Sequence, residues 1–303
     1  VLFRSVRSFN HHSRIGRYSG NLDRIGSRPC LRSIEDLPEG VDAAVLAIPR
    51  AGVLDAMRGL AARKVGAAVI FSAGFAEDGE AGKLEQAEIA RIAANAGMVV
   101  EGPNCLGLVS YVDAIPLTFV ETAVVRSETH QRFGIVSQSG AMAAVLSTML
   151  NSRDLAQSYS ISTGNEAVSG VEDYVDWMVD DDQTRVIAMI VEHFRKPARF
   201  LAAAHRARAA GKDIVLLHPG KSSAARKSAA THTGAIAGDY ALMRRKVEET
   251  GAIFAETLEE LCDVTEILVR SPCLKHTSLA VVGESGAFKA LTLDLAEELG
   301  LDL

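Results

Sequence analysis

The chain has 303 residues, of which 48% are hydrophobic and 23% charged, and its formal net charge is −6. This composition is typical of a folded globular protein and excludes a disordered chain. The acidic balance argues against nucleic acid as a partner, because phosphate binding favours a basic surface. Its apolar runs are too short to cross a bilayer, so no membrane association is expected.

The four cysteines lie far apart with no CxxC pair, and the eight histidines show no metal-binding spacing. A disulfide framework or a zinc site is therefore disfavoured. We expect reduced thiols, no metal ligands in this chain and a cytoplasmic location.

In chain order, the first part alternates apolar runs with amphipathic stretches. The runs DAAVLAIP, GAAVIFSAG and GMVVEGPN are separated by the helical patterns AGVLDAMRGLAARK and KLEQAEIARIAANA. This is the βαβ rhythm of a parallel sheet, whose ligands lie at the carboxyl ends of the strands. The opening segment has no strand followed by a glycine-rich loop. We predict that residues 1–125 form a Rossmann-like domain that lacks its first strand and phosphate loop.

A linker is predicted from Val120 to Arg132, and a second set of apolar runs follows it. These runs are FGIVS, SYSISTGN, TRVIAMIVE, DIVLLHPG and AIFAE, and they predict a second parallel-sheet domain over residues 126–272. After RSPCLKHT, the run SLAVVGESGA predicts one strand and one helix. Residues 273–303 are therefore predicted to be the truncated start of a third α/β domain, and the sequence is expected to be cut at both ends.

Two segments of the chain repeat one pattern. GIVSQSGAMAAVLSTML and AVVGESGAFKALTLDLAEEL each read as a strand, an SGA turn and a helix rich in Ala and Leu. One interpretation is that turns between strands and helices commonly contain Ser and Gly. The other is that both turns leave helix N-terminal amides free and form two anion sites. The pattern alone leaves both interpretations open.

Five motifs in order, EGPNCLG, GIVSQSGAMA, STGNEA, AMIVEHF and THTGAIAGD, resemble those of the NDP-forming acyl-CoA synthetases. This is the acetate–CoA ligase (ADP-forming) family, related to the α subunit of succinyl-CoA synthetase. The resemblance covers nearly the whole chain. It implies an α/β fold with a Rossmann-like CoA-binding domain, a flavodoxin-like domain and the start of a second flavodoxin-like domain. It also implies formation of acyl-CoA from an acid, CoA and ATP, or the reverse, through a phosphohistidine.

The resemblance assigns the catalytic pair. His232 matches the histidine that the family phosphorylates, and its neighbours Thr231, Thr233 and Gly234 leave the imidazole uncrowded, as transfer between two sites requires. Glu192 ends an apolar run, so we expect it at the carboxyl tip of a buried strand. In the family, the glutamate at this position holds the second imidazole nitrogen.

The other site residues also follow from the resemblance. It implies two phosphate-binding turns, one substrate loop and a CoA-binding edge. The first turn comprises Ser137, Gln138, Ser139 and Gly140, and the second comprises Ser285, Gly286 and Ala287. The substrate loop comprises Gly164, Asn165 and Glu166, for which a simple turn is the alternative. The CoA-binding residues are Pro49, Arg50, Ser72, Ala73, Gly74 and Asn104.

The implied cofactors are CoA in this chain, and ATP or ADP with Mg²⁺ through an ATP-grasp module outside it. The implied partners are an acyl substrate, phosphate and an ATP-grasp subunit or domain, in an oligomer. An alternative is a CoA-binding regulatory module, as in fusions with protein acetyltransferases, but such a module needs no phosphorylatable His232. A nicotinamide dehydrogenase fits the fold alone, because the chain lacks the G-x-G-x-x-G motif. The sequence leaves the acyl group open.

Overall fold

The computed structural model describes residues 2–3, 24–25, 28–29, 31, 33–122, 124, 129, 132–222, 239–271 and 279–301. The chain divides into two compact units, one ending at Val269 and the other beginning at Arg270. Among the described residues, no helix is long and apolar enough to cross a membrane.

The strands are short, and their bounds in chain order follow. They are β1 Leu2–Phe3, β2 Arg24–Ile25, β3 Arg28–Pro29, β4 Ala43–Leu46, β5 Ala67–Ile70, β6 Val99–Glu101, β7 Gly107–Ser110, β8 Ile115–Thr118, β9 Arg132–Ser137, β10 Ala156–Ser162, β11 Val186–Ile190, β12 Asp213–Leu217 and β13 Ile253–Ala255. Each of the eight apolar runs of the first two predicted sets overlaps one of these strands, which confirms them.

The helices carry the amphipathic stretches. They are α1 Val53–Ala62, α2 Gly79–Ala96, α3 Gly140–Asn151, α4 Val171–Asp180, α5 Pro197–Ala209, α6 Tyr240–Glu249, α7 Leu258–Arg270 and α8 Gly286–Glu298. Their ends follow ordinary capping chemistry. Asp239 accepts hydrogen bonds from the first-turn amides of α6, Pro197 begins α5, and Gly97 ends α2 in the left-handed conformation.

The first sheet has the order β1-β4-β5-β6, in which β4, β5 and β6 are parallel and β1 is antiparallel. Buried side chains of these strands pack with those of α1 and α2, including Leu46, Met57, Ile70 and Ile89. The parallel strands bring the loops that follow β4, β5 and β6 to one edge. Two short strands, β2 and β3, pair separately.

The second sheet has the order β13-β12-β11-β9-β10-β7-β8. Its five strands from β9 onward are parallel, and β11 at its centre is buried along its whole length, as a β-branched apolar run favours. Helices α4, α5 and α6 pack on one face, and α3 and α7 pack on the other. This is the expected flavodoxin-like, doubly covered sheet.

Five strands were not anticipated from the sequence, namely the two-residue strands β1, β2 and β3 and the longer strands β7 and β8. β7 pairs antiparallel with β10, and β8 pairs antiparallel with β7, so residues 107–118 extend the second sheet although they precede the predicted linker. The alternation in GLVSYVDAIPLT is too short to reveal which sheet it joins. The domain limits at 125 and 272 remain a prediction.

The second unit contains α8. The strand predicted from the run SLAVV does not form over residues 279–283, which have neither helix nor strand. An isolated strand has no partner for its backbone groups, so this run needs a sheet before it becomes a strand. The described part of this unit contains none.

Candidate functional site

The turn between β9 and α3 is held by its own side chains. Ser137 is fully buried, and its Oγ donates to the carbonyl oxygen of Ser139 at 2.8 Å and accepts from the amide of Ser139 at 3.1 Å. Ser139 caps α3 by accepting from the amide of Met142 at 3.4 Å. Among the described residues, nothing bonds to the amides of Gly140 and Ala141. These two donors begin the helix and are available to an anion.

Gly140 is needed for this geometry. A Cβ atom on Gly140 would lie 2.3 Å from Cγ of Leu106 and 3.1 Å from Oγ of Ser162. The absence of a side chain therefore lets the start of α3 lie directly against the loop from the first sheet.

Gln138 clamps the segment that follows β11. Its Oε1 accepts from the amide of Glu192 at 2.7 Å and from the amide of His193 at 3.1 Å, and its Nε2 donates to the carbonyl oxygen of His193 at 2.8 Å. The Gln138 side chain is thus engaged with backbone groups, and the phosphate-binding role of this residue stays a prediction. Because all three bonds go to backbone, they fix where Glu192 lies whatever its own carboxylate contacts.

Glu192 lies two residues beyond β11, as expected from the apolar run, and is half-buried. Its neighbour His193 is also half-buried. Burial, and next the nearby Arg195, lower the pKa of His193, which keeps that imidazole neutral at neutral pH. Its Nδ1 is buried with no hydrogen-bond partner among the described residues.

The segment after β10 ties the second sheet to the first. The amide of Asn165 donates to Pro103 O at 2.9 Å, and the amide of Ala167 donates to Gly102 O at 2.9 Å. The Asn165 side chain donates to Gln86 at 3.1 Å and also to Glu77. Backbone and side chain of this loop are thus both bound to the loops of the first sheet.

Gly164→Ala tests how tightly the loop after β10 packs against the loops of the first sheet. Gly164 has φ +58°, and a Cβ there would lie 2.4 Å from the carbonyl oxygens of both Pro103 and Asn104. The backbone has to shift, so we expect a loss of about 2–3 kcal/mol in the free energy of unfolding. Urea denaturation of the variant measures it.

Gly97 offers a matched control, because it has φ +63° and a Cβ there would meet nothing within 4 Å. Gly97→Ala is expected to cost only the left-handed backbone strain, about 1 kcal/mol. Equal losses in the two variants would contradict the close approach at Gly164.

The Glu166 carboxylate is buried behind the site, with its Oε2 3.6 Å from Nε of Arg195. It is 2% exposed, and its Oε1 accepts from Thr163 Oγ1 at 2.9 Å and from the amide of Val171 at 3.0 Å. Its Oε2 and Oε2 of the fully buried Glu172 both lack hydrogen-bond partners among the described residues. Burial, and next the charge of Glu172, raise the pKa of Glu166 to about 7. The structure thus does not place Glu166 with Gly164 and Asn165 as a substrate-loop residue.

A cavity of about 180 Å³ brings seven of the predicted site residues together. Its walls come from both sheets of the first unit. They are Ala76, Asn104, Gln138, Ser139, Gly140, Gly164, Asn165, Glu192, His193 and Arg195. Gly140, whose amide is free at the start of α3, and Glu192 both line this cavity. An amide donor and a carboxylate in one cavity suit a phosphoryl group bound beside an imidazole.

Sequence reasoning missed three of these residues, Ala76, His193 and Arg195. The signal was available for the last two, because EHFR directly follows the buried strand β11, and residues past a strand end share its edge of the sheet. Ala76 belongs to the loop after β5, whose path depends on tertiary contacts.

The predicted CoA-binding residues form a continuous edge of the first sheet. The amide of Asn104 donates to Ser72 O at 2.9 Å, and Ser72 Oγ donates to Ile48 O. Pro49 and Ala73 are exposed there. Gly74, at φ +98°, is packed against Arg50, whose Cδ would lie 3.1 Å from a Cβ. The CoA-binding role of these residues stays a prediction.

Arg50 is less available than expected. Its Nε and Nη2 donate to Glu85 at 2.8 and 3.1 Å, and its Nη1 donates to Asp78 at 3.0 Å. A CoA phosphate would have to compete with two carboxylates for this guanidinium. Cys105, by contrast, is no nucleophile, because burial raises the pKa of its thiol.

The remaining site predictions lie elsewhere. His232 lies outside the described residues. Ser285, Gly286 and Ala287 begin α8 in the second unit, with Ser285 at the N-cap position, and their phosphate-binding role stays a prediction. No group of His, Cys, Asp or Glu suited to a metal ion occurs in the described part of the chain.

Comparison with known proteins identifies the family. A CoA binding domain family matches residues 6–111, and a family described as succinyl-CoA ligase like flavodoxin domain matches residues 130–268. A trans-feruloyl-CoA synthase from an unknown prokaryotic organism is 60% identical over 271 residues, which are 89% of this chain and 38% of that protein. The chain contains the CoA-binding and flavodoxin-like domains of the NDP-forming acyl-CoA synthetases.

Other members of this acyl-CoA synthetase family agree. An ADP-forming acetate–CoA ligase of Archaeoglobus fulgidus is 32% identical over 91% of this chain and 39% of its own length. The dinucleotide forming acetyl-coenzyme A synthetase 1 of Ca. Korarchaeum cryptofilum, in complex with phosphate and ADP, superposes with a TM-score of 0.83 at 26% identity, covering 93% of this chain and 60% of that one. The chain thus corresponds to the α-like part of these synthetases and spans less than two thirds of each of them.

Proposed function

We propose that this chain is the CoA-binding and phosphohistidine-carrying part of an ADP-forming acid–CoA ligase. The phosphoryl group of ATP passes to His232 and then to the carboxylate of the acid. The CoA thiol attacks the resulting acyl phosphate, which forms acyl-CoA and releases phosphate. Every step is reversible, so the same residues serve synthesis of ATP from acyl-CoA.

One observation carries this proposal, namely that Gln138 fixes Glu192 beside the start of α3 in a single cavity. Phosphoryl transfer to an imidazole needs a group that orients the ring and stabilises its positive charge, and a carboxylate does both. It also needs donors for the phosphate oxygens, which the free amides of Gly140 and Ala141 provide.

The partner modules belong to the same proposal. An ATP-grasp subunit or domain would bind ATP or ADP with Mg²⁺, and the chain would work within an oligomer in the cytoplasm. A relative from Pyrococcus furiosus that this chain covers to 58% is named as an α subunit, which supports a division of the activity between parts. The relative at 60% identity is named for feruloyl-CoA, so ferulate is our first candidate for the acid.

Phosphate labelling tests this function directly. The complete ligase, containing this chain and its ATP-grasp module, is incubated with ATP labelled at the γ-phosphate. We expect an acid-labile, base-stable label that mass spectrometry of peptides maps to His232. Ferulate with CoA should discharge the label and yield feruloyl-CoA.

A ligase that forms acyl-CoA without any phosphoenzyme would contradict the proposal. So would a stable label on another residue. Failure with ferulate alone, with discharge by a different acid, would change only the substrate.

A further inference from the structure

Arg195 stands at the cavity wall on the segment that follows Glu192. Its side chain is 38% exposed. Its Nη1 donates to the carbonyl oxygen of Glu166, and its Nε lies 3.6 Å from Oε2 of Glu166. These contacts hold the guanidinium in place from one side. Nη2 makes no hydrogen bond to any described residue, which leaves one edge of the planar group for a ligand.

The charges around the cavity single out this residue. Of the ten residues that line it, Arg195 is the one lysine or arginine and Glu192 the one carboxylate. The other polar groups are amides, one hydroxyl and the imidazole of His193, whose pKa is lowered by burial and by Arg195. A full positive charge for an anionic ligand therefore comes from Arg195 alone within the described walls.

Glu166 cancels that charge only in part. Burial and the neighbouring Glu172 raise the pKa of Glu166 to about 7, so much of it holds a proton at neutral pH. A protonated Glu166 still contacts the Arg195 side chain and holds it in place. It leaves the guanidinium charge available to an oxyanion in the cavity through charge-assisted hydrogen bonds.

We propose that Arg195 binds the oxyanion group of the reacting acid, which is its carboxylate before transfer and its phosphoryl group as acyl phosphate. A guanidinium binds either group through paired, parallel hydrogen bonds. This assignment rests on the proposed function, and it names the residue that recognises the acid at the transfer site.

The two ways of charging His232 separate this role from a structural one. Charging from ATP involves no acid, whereas charging from acyl-CoA with inorganic phosphate, and discharge by the acid, both pass through the acyl phosphate. In Arg195→Gln we expect the second route and the discharge to fall about 10- to 100-fold, the loss of a hydrogen-bonded charge pair of about 1.5–3 kcal/mol. Charging from ATP should fall less than threefold.

Arg195→Lys keeps the charge but not the paired donors, so partial recovery of the acid-dependent rates is expected. Arg199→Gln is the matched control, because Arg199 pairs with Asp173 and Asp176 on the surface outside the cavity. It should match the parent enzyme in both routes. Thermal unfolding of all three variants verifies that they fold.

The Michaelis constants identify the oxyanion. A rise in KM for the acid alone assigns Arg195 to the carboxylate, and a rise for phosphate alone assigns it to the phosphoryl group. Normal acid-dependent rates in Arg195→Gln would overturn the assignment, as would an equal loss of both charging routes. Absence of any label from ATP in the parent enzyme would instead overturn the proposed function.

Discussion

Alanine in place of His232 is expected to abolish both the phosphate label and acyl-CoA synthesis, because no other group carries the phosphoryl between the two sites. Glu192→Gln is expected to slow both by about 10²–10³, or roughly 2.7–4 kcal/mol in the barrier. The amide keeps the shape and can still accept a hydrogen bond, but it lacks the charge that stabilises a developing imidazolium. Rapid-quench labelling with ATP measures the two rates.

Glu248→Gln is a matched control, because Glu248 lies on α6 and pairs with Arg244 at the surface. Surface pairs contribute little, so this variant should label at the parent rate. Two results would count against the site as described: synthesis at the parent rate in His232→Ala, or parent-rate labelling in Glu192→Gln.

The second large effect concerns pH and stability. Glu166 in the folded chain holds its proton to about pH 7, whereas in the unfolded chain it ionises near its ordinary value of 4.5. Between these values the folded state binds more protons, so the free energy of unfolding falls as pH rises. The stability present below pH 4.5 is lost by the time pH passes 7. The shift corresponds to about 3 kcal/mol at 1.4 kcal/mol for each pH unit.

Glu166→Gln should remove most of that slope. A glutamine keeps the acceptor that Thr163 and Val171 use, and its amide group can donate to the unpaired Oε2 of Glu172. We expect the variant to match the parent at pH 5 and exceed it by up to about 3 kcal/mol at pH 8. Urea denaturation across this range measures the difference.

Glu80→Gln serves as the comparison, since Glu80 is 84% exposed and pairs with Lys83 across one helical turn. It should shift stability by less than about 0.5 kcal/mol at either pH. A parent and a Glu166→Gln variant with the same pH dependence would show that Glu166 is ionised when folded.

Much of the fold was readable because its strands are short apolar runs with clear ends. β9 to β13 follow one another with helices between them, so local periodicity and the βαβ rule suffice. The strands β7 and β8 were not predicted because β7 joins the sheet through β10, which lies some fifty residues further along the chain, and β8 pairs only onto β7. The run Leu279–Gly283 was wrongly predicted to be a strand, because an apolar run forms a strand only when a neighbouring strand is present to pair with it.

The site was readable where chemistry sits at the end of an element. Glu192 and Ser139 follow buried strands directly, and strand ends converge in a parallel sheet. Glu166 could not be placed, because whether a loop carboxylate faces a cavity or the interior depends on which neighbours surround it. The use of Gln138 as a clamp was hidden for the same reason: an amide side chain binds phosphate and backbone equally well.

The contacts between the two sheets of the first unit limit how the cavity can open. Residues 107–118 come soon after the last strand of the first sheet but pair within the second sheet, and the loop around Asn165 is hydrogen-bonded to Pro103. Separating the two sheets at the cavity would therefore break these hydrogen bonds, which opposes a hinge-like opening. We therefore expect a substrate to enter the cavity without a large rotation of one sheet against the other.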